Sequence, residues 1–204
     1  NIFITGSFQT TYMDLDPGLG VQSYSTTISD SKYNDDAFLV KYTQNAAYLW
    51  STAIQSLDTD NSLSVAIDGK GNSYLSGSFS GDLTNFSSGT GSVNLSSSGE
   101  TDIFFSKYDA SGNLLWAKNM GGSENELGQD IKLDSDTNIY IAGVYKGTAD
   151  LDPSVEVNTI SARGNYDCFF AKYDKNGEFI FANSIGSDEY DNVYEMALNA
   201  NNDI

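Results

Sequence analysis

The stretch DIFFSKYDASGNLLWA, from Asp102 to Ala117, decides the fold. Asp102 is followed by a first run rich in apolar and aromatic residues, IFFSKY. A polar Asp-Ala-Ser-Gly-Asn segment then leads into a second apolar run that contains Trp116. Apolar runs of about five to eight residues, rich in aromatic and β-branched side chains and bounded by Asp, Asn, Gly or Ser, are typical of strands. Glycine and asparagine tolerate the positive φ of tight hairpin turns. The stretch therefore predicts a β-hairpin.

This hairpin sequence occurs three times. DAFLVKYTQNAAYLWS begins at Asp36 and DCFFAKYDKNGEFIFA begins at Asp167, and both align with the first stretch without a gap. The aligned lysines Lys41, Lys107 and Lys172 are 66 and 65 residues apart. A fixed spacing of this size indicates tandem copies of one structural unit.

A second block repeats in step with the first. IFITGSF, SYLSGSF and IYIAGVY each carry a glycine, at Gly6, Gly77 and Gly143, and an alternating run precedes the second and third blocks. A further alternating run, YEMALNANND, ends the sequence. We therefore expect about three repeats of 65–71 residues, each contributing four antiparallel strands. The expected repeats are residues 1–71, 72–137 and 138–204.

Apolar side chains occupy both faces of the third predicted strand. Phe104 and Phe105 point to opposite faces because side chains alternate along a strand, so the sheet should lie between two neighbours. Repeated four-stranded units of roughly 40 to 70 residues with two apolar faces are typical of β-propeller blades. Closed propellers have about four to eight blades. We expect this all-β chain to be part of a larger propeller or repeat array, completed by further blades of the same parent chain or of a partner chain.

Composition excludes several function classes. The chain has 204 residues, is 39% apolar and carries a net charge of -18, which would repel a phosphate backbone and argues against a nucleic-acid partner. No apolar run approaches the roughly 20 residues that a membrane span needs, so we expect no membrane insertion. The single cysteine, Cys168, permits no internal disulfide.

Catalysis is not expected. The chain contains no histidine, which excludes a Ser-His-Asp triad and a histidine base within it. Paired carboxylates such as Asp14 with Asp16, or Asp150 with Asp152, are the groups a glycan-cleaving enzyme would need, and that activity is the least favoured alternative. Nothing in the sequence raises the pKa of one member of either pair.

Calcium is the cofactor that the acidic loops would take. The Asp-x-Asp-x-Asn pattern of Asp134, Asp136 and Asn138 resembles the start of many calcium loops, but it lacks the glycine and distal glutamate of an EF-hand. The alternative is a turn in which Asp and Asn side chains bond to the backbone. The same two interpretations apply to Asp14, Asp16, Asp150 and Asp152.

Variable loops between the second and third strands are the expected ligand-binding sites, because rigid scaffolds commonly carry function on loops. The longest of these loops contains three tyrosines beside polar residues, and these are candidates for stacking on a sugar or contacting a protein. A carbohydrate-binding, lectin-like propeller is therefore an alternative function. The candidate tyrosines are Tyr12, Tyr24 and Tyr33.

The pattern Asp-x-Phe-x-x-Lys-Tyr-Asp-x-x-Gly-x-x-x-Trp-Ala, followed by Gly-Gly-Ser, resembles the SBBP-type β-propeller repeat of bacterial secreted and surface proteins. The segments TADLDPS (148–154) and MDLDPG (13–18) are similar to the Asp-Pro insert of the longer repeats common in Bacteroidetes. The resemblance implies a non-catalytic scaffold, adhesion or protein-binding segment, secreted or at the cell surface, with type IX secretion as one export route. Its implied partners are a protein or a surface glycan.

Overall fold

The computed structural model describes residues 1–26, 28–29, 32–55, 58–81, 84–88 and 91–199. Regular structure in these residues consists of β-strands, and the strands pair antiparallel. None of the described residues belongs to a helix that is long and apolar enough to span a bilayer. The all-β class and the antiparallel sheets expected from the sequence are confirmed.

The longest strands are the ones that the repeated blocks predicted, and the shorter ones lie in the loops between them. In chain order the strands are β1 (Ile2–Phe8), β2 (Met13–Asp14), β3 (Ser23–Tyr24), β4 (Ile28–Ser29), β5 (Lys32–Tyr33), β6 (Asp36–Tyr42), β7 (Tyr48–Ile54), β8 (Asp60–Ile67), β9 (Ser73–Phe79), β10 (Thr84–Ser88), β11 (Gly91–Leu95), β12 (Asp102–Tyr108), β13 (Leu114–Gly122), β14 (Glu126–Leu133), β15 (Ile139–Tyr145), β16 (Thr148–Asp150), β17 (Thr159–Ser161), β18 (Asp167–Tyr173) and β19 (Phe179–Ile185).

Three repeated sheets form the body of the described structure. The first sheet has the order β1-β6-β7, the second contains β8-β9-β12-β13, and the third has the order β14-β15-β18-β19. Strands β16 and β17 leave the third sheet and extend the second one beyond β13. The loop between β15 and β18 of the third sheet therefore adds two short strands to the β13 edge of the second sheet.

The hairpin turns between the third and fourth strands follow the predicted chemistry. Gly112 and Gly177 have φ values of 88° and 79°, which glycine adopts without a steric penalty. In the first sheet, whose turn lacks a glycine, Ala46 takes the equivalent position at a φ of 61°. A left-handed alanine costs roughly 1–2 kcal/mol, so the first hairpin is the most strained of the three.

The sheets stack through their alternating faces. Phe104 packs with Leu39 in the core between the first and second sheets, whereas Phe105 packs with Tyr173 in the core between the second and third. All four side chains are almost completely buried. The predicted second sheet with two apolar faces, enclosed between neighbours, is observed. Since aromatics bury roughly 150–250 Å² each, these two interfaces dominate the apolar burial.

The repeated glycine marks a close approach of the first strand to the second. A Cβ atom on Gly143 would lie 2.0 Å from the carbonyl oxygen of Leu127, and one on Gly77 would lie 2.0 Å from that of Asn61. The first strands shift register beside these glycines, which brings a backbone carbonyl over them. A Cβ on Gly6, where no first strand is present among the described residues, would meet only a phenylalanine ring, 3.2 Å away.

The repeated lysines of the first and second sheets each contact the next sheet. Lys41 Nζ donates to the carbonyl of Ala110, 2.7 Å away in the third-to-fourth-strand turn of the second sheet. Lys107 Nζ makes the equivalent bond to Lys175 in the third sheet at 3.4 Å. Both ammonium groups also lie over an aromatic ring of their own sheet, 5.1 Å and 4.7 Å from its centre. The spacing of Lys41 and Lys107 thus reflects one repeated contact between sheets, whereas Lys172 lies 3.2 Å from Asp134 of its own sheet.

Candidate functional site

Two loops with the same Asp-Leu-Asp-Pro sequence adopt the same hydrogen-bonded structure. We call residues 14–22 and 150–158 the Asp-Pro loops. Asp14 Oδ1 accepts the backbone N–H groups of Asp16 and Gln22, at 3.0 and 2.9 Å. Asp150 Oδ1 accepts those of Asp152 and Asn158, at 3.1 and 2.9 Å. In each loop, one carboxylate therefore joins the first residue to the residue eight positions later.

The second aspartate of each loop shapes the turn after it. Asp16 Oδ1 accepts the N–H of Gly18 at 2.8 Å, and Asp152 Oδ1 accepts that of Ser154 at 2.9 Å. The N–H groups of residues 16 and 22 lower the pKa of Asp14 because they stabilise the ionised carboxylate. These bonds fix the path of the loop backbone.

The base of each loop is anchored in the core. Leu15 and Leu151 are buried, and their carbonyl oxygens accept the hydroxyl groups of Tyr42 and Tyr173, each at 2.8 Å. The two tyrosines end the third strands of the first and third sheets. The middle copy has GDLTNFSSG in place of the Asp-Pro sequence, so this anchor belongs to the first and third repeats.

The tips of the loops present aliphatic side chains to solvent. Leu19 and Val155 occupy equivalent positions with relative exposures of 107% and 97%, and Val21 and Val157 follow two residues later at 68% and 72%. Each tip therefore places two exposed aliphatic side chains, two residues apart, on a backbone held by hydrogen bonds. The acidic residues of these loops drew the calcium prediction, whereas their apolar tips were not predicted, although both loops carry two aliphatic residues in alternation after the proline.

The predicted calcium residues of the third sheet form a closed turn. Asp134 accepts the backbone N–H groups of Asp136 and Asn138 and the side-chain amide of Asn138, and its Oδ2 lies 3.2 Å from Lys172 Nζ. Burial alone would raise the pKa of Asp134, but the bonds from Asn138 and Lys172 bring it below the usual value. The turn interpretation accounts for all of these contacts.

The described part of the chain shows no group of three or more His, Cys, Asp or Glu side chains placed to hold a metal ion. Calcium binding by Asp14, Asp16, Asp150, Asp152 and the Asp134 turn stays one of two untested interpretations, with hydrogen-bonded turns as the other. Because each of these five carboxylates already accepts at least one protein N–H group, the turn interpretation predicts the same melting temperature of the chain in calcium and in chelator. A rise in melting temperature on adding calcium would contradict this expectation.

The three candidate tyrosines lie in different surroundings. Tyr12 is 59% exposed, whereas Tyr24 is half-buried and its hydroxyl donates to the carbonyl of Ser51 at 3.0 Å. Tyr33 ends β5, and its side chain lies outside the described residues. Tyr12 is thus an exposed aromatic group, and Tyr24 helps attach the loop to β7.

A pair of buried carboxylates lies where the second sheet meets the third. Asp102 begins β12, Glu126 begins β14, and both are fully buried. A Cβ atom on Gly121 would lie 2.7 Å from Asp102 Oδ1 and 2.8 Å from Glu126 Oε2, so both acids border the same glycine. Burial, aided by the charge of Asp102, raises the pKa of Glu126 to about 7. This pair was not predicted from the sequence, because its members are 24 residues apart and no local pattern links them.

Comparison with known proteins identifies long relatives of low identity. The chain is 26% identical over 180 residues to an uncharacterised WD repeat-containing protein of Acanthamoeba polyphaga mimivirus, covering 76% of this chain and 13% of that protein. It is 28% identical over 206 residues to the regulatory protein FlaEY of Caulobacter vibrioides, covering 96% of this chain and 20% of FlaEY. The chain is a repeat-containing β protein. It spans a fifth or less of the length of these two relatives.

No family model matches the chain, so the resemblance to the SBBP-type repeat remains an expectation. Among solved structures, a protein of unknown function from Bacteroides caccae is similar with a TM-score of 0.34 and 10% identity, covering 74% of this chain and 54% of the other.

Proposed function

We propose that the chain is a β-propeller-type segment of a larger repeat protein and serves as a non-catalytic scaffold for protein binding. The observation that carries the proposal is the pair of equivalent Asp-Pro loops, each anchored in a core and each presenting two exposed aliphatic side chains. The WD repeat-containing relative supports a propeller-type repeat, which is an architecture with rigid loops at the ends of its blades.

The surroundings of the acidic residues support a scaffold over an enzyme. The first carboxylate of each Asp-Pro loop is held by two backbone N–H groups. At Asp14 these bonds lower the pKa, which works against a general acid. The pair with the raised pKa, Asp102 and Glu126, is buried between sheets, where a substrate has no access. We therefore assign the acidic residues to structure.

We also propose that the protein acts outside the cell or at its surface, as the resemblance to secreted repeat proteins implies. The net charge of -18 is consistent with a domain that stays soluble while exposing apolar loop tips. Adhesion and export by type IX secretion belong to the same proposal.

Site-specific photo-crosslinking tests the binding loops. We expect a crosslinker at position 19 or at position 155 to capture the same protein from the surface fraction of the producing organism. Excess unlabelled chain should compete, because a specific site saturates. A chain with serine at all four tip positions should not compete, since it lacks the apolar contacts. The four positions are Leu19, Val21, Val155 and Val157.

A matched control carries the same chemical change elsewhere. Leu49→Ser with Leu115→Ser removes two partly exposed aliphatic groups from fourth strands, 45% and 53% exposed, and should compete like the unaltered chain. Equal melting temperatures of the two variants would show that the tip variant fails to compete because it lacks the tip side chains and not because it is unfolded. If the tip variant competes fully, the loop proposal is wrong. Saturable binding to a glycan array that is lost in Tyr12→Ala would instead favour the lectin alternative.

A further inference from the structure

A cleft between the second and third sheets contains three of the ten basic residues of the chain. It has a volume of about 280 Å³ and is lined mainly by turns that join neighbouring strands. These turns are residues 68–72, 134–138 and 174–178. We call it the lysine cleft, after Lys70, Lys107 and Lys175 in its wall. In a chain with 28 acidic and ten basic residues, the cleft is a local concentration of positive charge.

The three ammonium groups of the cleft form no ion pair with a carboxylate of the described structure. Four other lysines do so: Lys118, Lys132, Lys146 and Lys172. Lys107 Nζ makes a single hydrogen bond to a described residue, the 3.4 Å bond to the carbonyl of Lys175, although an ammonium group has three N–H donors. The equivalent bond from Lys41 is 2.7 Å long. Lys107 therefore has donors left for an acceptor from outside the chain.

Lys107 is also repelled by its two lysine neighbours. Its side chain is half-buried, and burial lowers the pKa of the ammonium group. The charge of Asp68 opposes this shift, whereas the charges of Lys70 and Lys175 add to it. A negative group in the cleft would offset the repulsion among the three lysines.

The fold does not require Lys70 or Lys175. Lys70 occupies the place in its turn that Asp136 occupies in the equivalent turn of the third sheet. Lys175, three residues after the repeated lysine, corresponds to Gln44 and Ala110 in the other copies. The same backbone hydrogen bonds close these turns whichever residue is present. The two lysines are therefore additions to the repeat and not part of its framework.

Thr137 adds a strained, hydroxyl-bearing residue to the wall of the cleft. Its φ is 68°, whereas turns of the same kind carry glycine at this position, with Gly71 at 82° and Gly177 at 79°. A β-branched residue rarely adopts a positive φ, and residues held in such conformations cluster at functional sites. A threonine hydroxyl can donate a hydrogen bond to an anion, which glycine has no side chain to do.

Size and charge limit what the lysine cleft can hold. Its volume of about 280 Å³ is below the roughly 300–1,000 Å³ of pockets that enclose a small molecule, and it fits the end of one side chain. A polyanion needs basic contacts along its length, and the net charge of -18 works against such a ligand. A single carboxylate needs the cleft alone.

We propose that the lysine cleft binds the carboxylate of one aspartate or glutamate side chain of a protein partner. The inference rests on the proposed protein-binding function and names a group that the partner presents. The second Asp-Pro loop lies at the same end of the third sheet, because the carbonyl of Leu151 accepts the hydroxyl of Tyr173, which directly precedes the turn that carries Lys175. A partner that binds this loop therefore approaches the end of the sheet at which the cleft lies.

Titration of the isotope-labelled chain with short peptides, followed by NMR, tests the cleft. The probe is acetyl-Ala-Glu-Ala-amide, and its matched reference is acetyl-Ala-Gln-Ala-amide. We expect the glutamate peptide to shift the amide signals of Lys107, Thr137 and Lys175 to saturation. The glutamine peptide should leave these signals in place, because it has the same shape and lacks the charge.

Two double variants with the same loss of charge separate the cleft from the net charge of the chain. Lys70→Gln with Lys175→Ala removes two positive charges from the cleft and should weaken binding of the glutamate peptide about tenfold or more, as expected for lost charged hydrogen bonds. Lys146→Gln with Arg163→Gln removes two positive charges elsewhere and should bind like the unaltered chain. Lys107 is kept in both variants because it also connects the two sheets.

Equal weakening of binding in the two variants would overturn the proposal, since the net charge would then explain the binding. The absence of saturation with the glutamate peptide would do the same. Tighter binding of a sulfated disaccharide than of the glutamate peptide would assign the cleft to a glycan and not to a protein side chain, against the proposal. Failure of the loop proposal appears instead as full competition by the tip variant, which carries none of these substitutions.

Discussion

Replacing Phe105 with alanine is expected to lower the free energy of unfolding by about 3–5 kcal/mol, the cost typical of a large core aromatic. Phe105 is fully buried in the core between the second and third sheets. Its ring centre lies 4.8 Å from that of Tyr173 and 5.4 Å from that of Trp116. The substitution removes contacts from both sheets at once and opens a cavity between them.

Urea unfolding followed by tryptophan fluorescence measures this loss, since Trp116 lies at the same interface. The control is Leu115→Ala, on the neighbouring strand, whose side chain is 53% exposed and should cost less than about 1 kcal/mol. If the two variants unfold at the same urea concentration, the stacked sheets do not depend on the interface that Phe105 occupies. The proposed propeller arrangement would then lose its main physical support.

Glu126→Gln is expected to stabilise the chain at pH 8 and to have little effect at pH 5. The pKa of Glu126 is raised to about 7 from 4.5, so the folded state holds this proton more tightly than the unfolded state. The stabilisation by protonated Glu126 is complete below about pH 4.5 and is lost as the pH rises through 7. A shift of this size corresponds to about 3 kcal/mol between the two ends of the range.

Glutamine keeps an oxygen that can accept the N–H of Gly122, which bonds to Glu126 at 2.8 Å, and it carries no charge beside Asp102. The difference in unfolding free energy between the variant and the unaltered chain should therefore be about 2.5 kcal/mol larger at pH 8 than at pH 5. Glu156→Gln, at an exposed loop position, is the matched control for the loss of one carboxylate. Equal pH profiles for Glu126→Gln and the unaltered chain would contradict the prediction.

Much of the fold was predictable because its signals are local. Strand identity, the hairpin turns at Gly112 and Gly177, and the opposite faces of Phe104 and Phe105 all follow from residue spacing. The alternation of side chains and the φ preference of glycine act within a few residues, so no tertiary information is needed to read them. The repeat spacing then extended one hairpin to the three sheets.

The candidate site was predicted less completely. Sequence reasoning selected the Asp-Pro loops as calcium or ligand candidates, but it did not identify their exposed aliphatic tips at Leu19 and Val155. Tyr24 was also predicted to be a ligand candidate, but the structure shows that its hydroxyl bonds to Ser51 and attaches the loop to β7. This bond was not predicted. Whether a loop side chain is buried or exposed depends on the path of the backbone, which the Asp14 and Asp150 hydrogen bonds determine.

By itself, the sequence determined the periodic parts of this protein: the strands, their turns, the residues on each face and the recurrence of the unit. Tertiary structure alone decided which distant groups meet. Examples are the pairing of β16 with β13, the burial of Asp102 beside Glu126, and the bond from Lys41 to Ala110 across sheets. The physical reason is that strand periodicity is local, whereas these contacts join residues that become neighbours only after the sheets have stacked.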